Sequence, residues 1–587
     1  MQPFTLGQGT NHHALIVGKT GSGKSTLLHI LITTIALYYH PEEVELYLID
    51  FKKGVEFKLY ATYQLPHARV IAIESEREFG LSVLEGLYAE YERRGDTFRH
   101  RGVNSLKAYR QATGERLPRI LLLVDEFHKF FIEQDPLATR AYQVLELLVR
   151  EGRSAGIHIL LASQTLTGSA KLPDSIKEQI GIRVALQCSE ADSRLILADD
   201  NTAARLLSRP GEAIYNSANG LIEGNNTFQV AWLNEEQQKT YLTSLYQHAQ
   251  QQGFSARQIV FEGNQPATVE QNTALQQALT APTVPNRAPR LKAWLGEPTA
   301  IRDSTSVTFQ ARSANNVLII GNDERAALGM LVTALVSLAA QLPATPRSGP
   351  QTFSIIDLSD PDSHTVNPFA ILAERLPHPI AVARQRRQRS GLINAIAQEV
   401  AQRMQNNTAA APLFLILYGL QKARDLRLDA VGPDNGNTPW LSASSSGASE
   451  AQSLGLSNSF GSQFGMAASP ATPATTNPAQ QLPKILRDGP EFGVYTLIWC
   501  DTSTNLNRTF ERATQNECML RIVFQMSEDD SVRLIGSTAA NKLGDHRALF
   551  YDDEKGSLEK FRPYGPPNQQ WLEWALAQLT KRAHTEP

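Results

Sequence analysis

The sequence predicts an α/β protein with two tandem domains, each a mainly parallel sheet flanked by helices. Three observations lead there. Leu15-Ile16-Val17 is a short apolar run, followed by the glycine-rich stretch Gly18-Lys19-Thr20-Gly21-Ser22-Gly23-Lys24-Ser25-Thr26 and then by an apolar, helix-like segment from Leu27 to Tyr39. Ile120-Leu121-Leu122-Leu123-Val124 is a second continuous apolar run and ends at Asp125-Glu126. Such runs are what strands of a parallel sheet covered on both faces look like. The same order of apolar runs then returns in the second half of the chain.

The bulk properties narrow the class without deciding it. The chain has 587 residues, and at about 150 residues per domain this suggests two to four domains. Its net charge of −3 exerts no global pull toward nucleic acid or membrane, although a locally basic pore is compatible with it. The three cysteines, Cys188, Cys500 and Cys518, follow no metal-ligand spacing and suit a reducing, cytoplasmic setting. The histidines form no cluster of that kind either. No apolar run of about 18 residues is present, so no membrane span is expected. No signal peptide is visible. The N-terminus leads directly into the first strand, as expected of a motor portion taken from a longer protein.

The glycine-rich stretch matches G-x-x-x-x-G-K-[ST], a phosphate-binding loop between a strand and a helix N-terminus. Gly18, Gly21 and Gly23 let the backbone wrap phosphates with its N–H groups turned inward. Lys19, Thr20, Ser22 and Thr26 complete the loop. Lys24 is placed to reach the β- and γ-phosphates of ATP, and the Ser25 hydroxyl to hold Mg²⁺. Asp125 would orient the same Mg²⁺ through its water shell. Glu126 would polarise the attacking water. A strand over Val44–Asp50 between the two motifs, and a Glu directly after the Asp, suit the branch of P-loop ATPases with an inserted central strand and a catalytic glutamate.

Further along, Ile159-Leu160-Leu161-Ala162 reads as a strand ending at Ser163-Gln164. Gln164 is placed to sense the γ-phosphate. Arg153, just before this strand, is placed to act on a neighbouring subunit's nucleotide. The stretch from Arg93 to Arg119 is basic: it reads either as a solvated helical face or as a contact to nucleic acid or another subunit.

Taken together, the phosphate loop, the Asp-Glu strand, Gly152-Arg153-Ser154-Ala155-Gly156 with its strand, the segment Arg183 to Arg194, and Gly211-Glu212-Ala213-Ile214-Tyr215 resemble the FtsK/SpoIIIE motor family over roughly residues 1–235. The resemblance implies a RecA-like fold, a hexameric ring that hydrolyses ATP at subunit interfaces, and translocation on double-stranded DNA. It also implies that Arg153 is the arginine finger and Gln164 the sensor. Thr165 stands where the family's DNA translocases commonly carry arginine. Asp50-Phe51-Lys52-Lys53-Gly54 is closer to the multi-ATPase relatives of type VII secretion.

The second half looks like a worn copy. Residues 1–262 form the active domain, 263–287 read as a Gln/Thr/Pro/Ala-rich linker, and 288–587 form the copy. Asn316 to Gly321 repeats the first strand, but a loop with Asp323 and Glu324 follows. Counted residue for residue, Ala327 and Leu328 replace Lys24 and Ser25. Leu413 to Leu417 repeats the Asp-Glu strand and ends at Tyr418-Gly419. Phe492 to Asp501 repeats the sensor strand, with Pro490 for Arg153 and Asp501 for Gln164. Arg521 to Ser531 repeats Arg183 to Ser193. The copy therefore keeps its packing and loses its chemistry, leaving a structural role or a protein partner as its function. Extra length between about residues 432 and 481 is Ser/Ala/Gly/Pro-rich and expected to be loosely ordered.

The leading expectation is an ATP-driven double-stranded DNA translocase working as a hexameric homo-oligomer, with Lys171, Lys177 and the basic stretch as candidate contacts to DNA phosphates. The alternatives are a type VII secretion-like protein-export ATPase and a DNA-linked ATPase of a defence or mobile-element system.

Overall fold

The structure, a computed structural model, describes the chain apart from residues 1, 53–55, 75, 169–171, 255–257, 284–289, 345–350, 361–366, 407–409, 429–476 and 584–587. Two compact units emerge: one reaches Gln265 and includes Pro298–Asp303, the other comprises Pro266–Glu297 and the chain from Ser304 onward. Among the described residues no helix is long and apolar enough to cross a membrane.

The first unit is built on a nine-stranded sheet. Its strands are β1 (Ala14–Val17), β2 (Val44–Asp50), β3 (Ala68–Ile73), β4 (Arg119–Asp125), β5 (Ile157–Ser163), β6 (Ile182–Leu186), β7 (Glu212–Asn216), β8 (Asn225–Gln229) and β9 (Ile259–Glu262), in the spatial order β8-β7-β6-β1-β5-β4-β2-β3-β9. All neighbours from β6 to β9 pair parallel, and β7 alone runs the other way, pairing antiparallel with both β6 and β8. β1, β4 and β5 are buried almost throughout, because helices cover both faces. The strand that separates β1 from β4 in space is β5, not β2, which lies on the far side of β4. That insertion sets the carboxyl end of β5 between the glycine-rich loop and the Asp-Glu pair.

The second unit has a ten-stranded sheet: β10 (Leu291–Pro298), β11 (Thr305–Phe309), β12 (Val317–Ile320), β13 (Phe353–Asp357), β14 (Ile380–Ala383), β15 (Leu413–Tyr418), β16 (Val494–Cys500), β17 (Leu520–Val523), β18 (Ala548–Asp552) and β19 (Ser557–Pro563). Its central order β17-β12-β16-β15-β13-β14 repeats β6-β1-β5-β4-β2-β3. Register makes the equivalence exact to the residue. Asp50 pairs with Asp125 and Asp125 with Ala162, while Asp357 pairs with Tyr418 and Tyr418 with Trp499.

Several buried contacts recur in both copies. The His13 Nδ1 accepts from Ile159 N at 3.1 Å, and at the equivalent place Asn316 Oδ1 accepts from Thr496 N at 2.9 Å. Burial lowers the His13 pKa to about 3, which leaves its ring free to accept. Arg183 Nη1 donates to the Leu197 carbonyl at 2.5 Å, as Arg521 Nη1 does to Leu534 at 2.7 Å. Buried Arg94 bonds Glu90 four residues back and the Ala155 carbonyl at 2.8 Å; Arg403 bonds Glu399 and the Phe492 carbonyl at 3.0 Å.

Three sequence expectations change here. Within the expected linker, Thr273–Thr280 is a helix whose Leu275 and Leu279 are fully buried in the second unit's core, and Asn272 bonds the Tyr564 hydroxyl at 2.9 Å. Its two leucines at i and i+4 make one apolar face, enough to dock a short helix despite polar surroundings. The expected insertion largely lies outside the described residues, but Pro478–Asp488 is a helix capped by Asn477, so its last residues belong to a helix. Part of the basic stretch is paired within its own domain. Arg93 and Arg94 pair with Glu90, Arg99 with Asp96 and Arg116 with Glu42, while Arg110 donates to the Leu117 carbonyl.

Candidate functional site

Gly23 begins the helix Lys24–Tyr38, and no side chain caps that helix. A helix start leaves four backbone N–H groups without intrahelical partners, and an anion is a natural partner for them. The loop leading in is shaped for it. Gly21 and Gly23 lie at φ +80° and +100°, in the left-handed region that glycine adopts without strain. A Cβ on Gly23 would come within 2.9 Å of the Gly211 backbone. The loop is tied down from below: Gly18 N donates to Ser163 O at 3.3 Å, Lys19 N to Gln187 O at 2.9 Å, and Gly211 N to Ser22 O at 2.8 Å.

The residues singled out in sequence meet above this loop, with one exception. Lys24, nearly buried, contacts Asp125 Oδ1 and lies 3.2 Å from Glu126 Oε1. Burial pushes the Asp125 carboxyl up, and the Lys24 ammonium opposes it. Burial also disfavours the Glu126 charge, but His128, Lys24 and the Gln164 N–H outweigh it and hold that carboxyl at about 2. The His128 Nδ1 stands 3.2 Å from Glu126 Oε2, and Gln164 N donates to the same oxygen at 3.3 Å. Gln164 accepts from the Thr20 hydroxyl at 2.9 Å, so the end of β5 touches the phosphate loop itself. Glu126 sits at φ 55°, strained for a residue with a Cβ, and its counterpart in the second unit is Gly419. Thr165 is engaged inside the domain, donating from its hydroxyl to Asp192 Oδ1 at 2.8 Å.

The exception is Arg153. It is exposed, on a 3₁₀ turn over Gly152–Ala155 that precedes β5. β5 has seven residues, so at about 3.3 Å per residue the turn lies roughly 20 Å from the strand's other end, where Gln164 is. Within one chain Arg153 does not reach the site. Of the candidate DNA contacts, Lys171 lies outside the described residues and Lys177 is half-buried.

Two acidic residues belong to the site without having been anticipated. Glu56, on the return from β2, accepts from the Ser25 hydroxyl at 3.1 Å. Asp50, at the end of β2, accepts from Lys52 N at 2.8 Å and has a second buried oxygen with no partner. Burial raises the Asp50 pKa to about 7, with Asp125 and Glu56 contributing in the same sense and the Lys52 N–H opposing. The donor set fits a phosphate group with a hard divalent cation: uncapped amides and an ammonium for the anion, a hydroxyl and carboxylate oxygens for Mg²⁺.

In the second unit the equivalent place is filled. Only Gly321, Asn322 and Asp323 separate β12 from the helix Glu324–Ala339, so the loop is shorter by three residues and Glu324, not Ala327, occupies the Lys24 position. Asp323 caps this helix, accepting from Ala326 N at 2.9 Å. Tyr418, at the Asp125 position, donates to Glu324 Oε1 at 2.9 Å and stacks on Trp499 at 4.8 Å. Trp499, at the Ala162 position, donates from its indole to the Gly321 carbonyl at 3.1 Å. The helix N-terminus is thus satisfied by its own chain, and aromatic rings take up the space beside it.

Against known proteins this arrangement has a clear place. Residues 2–220 match the FtsK/SpoIIIE family. Over 228 residues the chain is 31% identical to the ESX secretion system protein EccC of Geobacillus thermodenitrificans, covering 38% of this chain and 15% of that protein. Over 224 residues it is 31% identical to the DNA translocase FtsK of Staphylococcus aureus, covering 36% of this chain and 27% of that one. The chain therefore spans well under a third of the length of these relatives. In fold, 99% of it superposes on 64% of the cytoplasmic domain of the Thermomonospora curvata type VII secretion ATPase EccC, with a TM-score of 0.61 and 20% identity. The match supports an ATPase domain at residues 2–220, and the second unit repeats its fold.

Proposed function

We propose that this chain is an ATP-hydrolysing motor that works as a ring, with the first domain turning over ATP and the second a non-hydrolysing copy. One observation carries the reading: Lys24, Asp125, Glu126 and Gln164 converge at the carboxyl end of the sheet, while Arg153 is exposed at the other end of β5. An arginine so placed supplies charge to a nucleotide only in an adjacent copy, so the complete site is intermolecular. A hexamer is the assembly that the family resemblance implies.

On ATP binding Lys24 exchanges its two carboxylates for the β- and γ-phosphates. Ser25 and Asp125 would hold Mg²⁺ when it is bound, and the ion would neutralise charge on the phosphates. Glu126, freed of the ammonium, orients and deprotonates the attacking water, and Gln164 reports the γ-phosphate to the loop through Thr20. Arg153 of one copy stabilises the transition-state charge in the next.

For the cargo we favour a polypeptide over DNA. Four arginines of the basic stretch, Arg93, Arg94, Arg99 and Arg116, pair with acids inside the domain, and Thr165, where the family's DNA translocases commonly carry arginine, is bonded to Asp192. The tandem fold shared with EccC, a type VII secretion ATPase, supports the same side. The second reading, translocation on double-stranded DNA, is favoured by the similarity of the first domain to FtsK. ATP turnover with and without long linear double-stranded DNA, across a salt series, separates them. Stimulation that fades as salt rises would establish a DNA motor. Turnover indifferent to DNA at every salt concentration supports export.

A further inference from the structure

A hydroxyl that coordinates a cation gives it a lone pair, so its proton must point elsewhere. In this site the proton of Ser25 has an acceptor, Glu56 Oε1, at 3.1 Å. Glu56 is itself held. The His29 Nε2 lies 3.3 Å from its other oxygen, the His29 Nδ1 lies 2.8 Å from the Tyr60 hydroxyl, and Gln238 donates to that hydroxyl at 3.2 Å. One assignment satisfies all four contacts: Gln238 donates to Tyr60, Tyr60 to the His29 Nδ1, and the His29 Nε2–H to Glu56. Every donor in the chain then points toward Glu56, and a neutral imidazole suffices. Ser25 and His29 sit four residues apart on one helix and therefore share a face. Tyr60 is fully buried and fixes the far end.

We propose that Glu56 is a positioning residue for Mg²⁺, acting through Ser25: it takes the hydroxyl proton, so that the Ser25 lone pairs face the phosphate loop. Outer-shell partners of this kind typically tune metal affinity by about 10–100-fold.

The test uses the full chain and fluorescent methylanthraniloyl-ADP. Nucleotide affinity is measured first in EDTA and then as Mg²⁺ is titrated in, for the parent, Glu56→Ala, Glu56→Gln, Ser25→Ala and the Ser25→Ala/Glu56→Ala double variant. In Glu56→Ala the half-saturating Mg²⁺ concentration rises by about 10-fold or more, while affinity in EDTA does not fall. Glu56→Gln, which keeps an acceptor oxygen but not the charge, falls between the two. The double variant behaves like Ser25→Ala alone, because Glu56 has nothing left to position. The proposal is overturned if Glu56→Ala leaves the Mg²⁺ titration unchanged. It is also overturned if affinity falls equally with and without Mg²⁺, or if the two single effects add.

Discussion

Exchanging Glu126 for Gln isolates the proposed chemical step. Gln is nearly isosteric and bears the same strain at φ 55°, so what changes is the charge and the capacity to take a proton. The Gln164 N–H at 3.3 Å still finds an amide oxygen, and Lys24 still has Asp125. The phosphate loop is untouched. Losing one of its two carboxylates makes Lys24 easier to draw onto phosphates, so ATP affinity should hold or improve. Turnover is another matter. A positioned general base contributes about 10²–10⁴-fold, equivalent to roughly 2.7–5.4 kcal/mol in the barrier. The carboxyl is held near 2 in the free protein, so at neutral pH the parent carries the full charge that the variant lacks. Steady-state phosphate release and equilibrium titration with a fluorescent ATP analogue, run on one preparation, give both quantities. The expected pattern is intact binding with turnover reduced by at least about 100-fold. Binding intact and turnover near parental would refute the assignment of Glu126 as base.

Lys24→Ala should abolish nucleotide binding and turnover together; hydrolysis persisting in that variant would make the second domain an active site. Arg153→Ala should bind ATP normally and lose turnover, and mixing it with Glu126→Gln subunits should restore part of the rate, since each supplies what the other lacks. No recovery on mixing would count against a finger acting between copies. Asp50→Asn should show a pH-dependent gain in stability. Burial raises the folded-state pKa to about 7, whereas the unfolded value is about 3.9, so the parent loses stability as pH rises through that window. The variant's Tm advantage should widen from about pH 5 to about pH 8, and an advantage independent of pH would refute the reasoning. Arg94→Met would leave the Pro118 and Ala155 carbonyls without their guanidinium partner, while Glu90 keeps Arg93. A destabilisation of about 1–3 kcal/mol is expected by calorimetry, and a loss below about 0.5 kcal/mol would show that the bond network relaxes without it.

Local sequence was sufficient for the nucleotide loop, the Asp-Glu strand and the wearing-out of the second copy. A phosphate loop is contiguous, its glycines are demanded by backbone geometry, and buried parallel strands have to be continuously apolar. Tertiary structure decided what depends on meetings between distant segments. Glu56 reaches Ser25 only because the chain doubles back after β2, and no spacing rule announces that. Residue-for-residue counting put Ala327 at the Lys24 position because a three-residue shortening of a loop is invisible without the helix start; the fold puts Glu324 there instead. The linker composition of residues 263–287 concealed two leucines that find a core. Charge counts ignore partners, and in the basic stretch Glu42, Glu90 and Asp96 supply them for Arg93, Arg94, Arg99 and Arg116. Arg153 was recognisable as a residue of the right kind in the right motif. Only the direction of β5, which carries it roughly 20 Å from Gln164, takes it out of reach of its own chain's site.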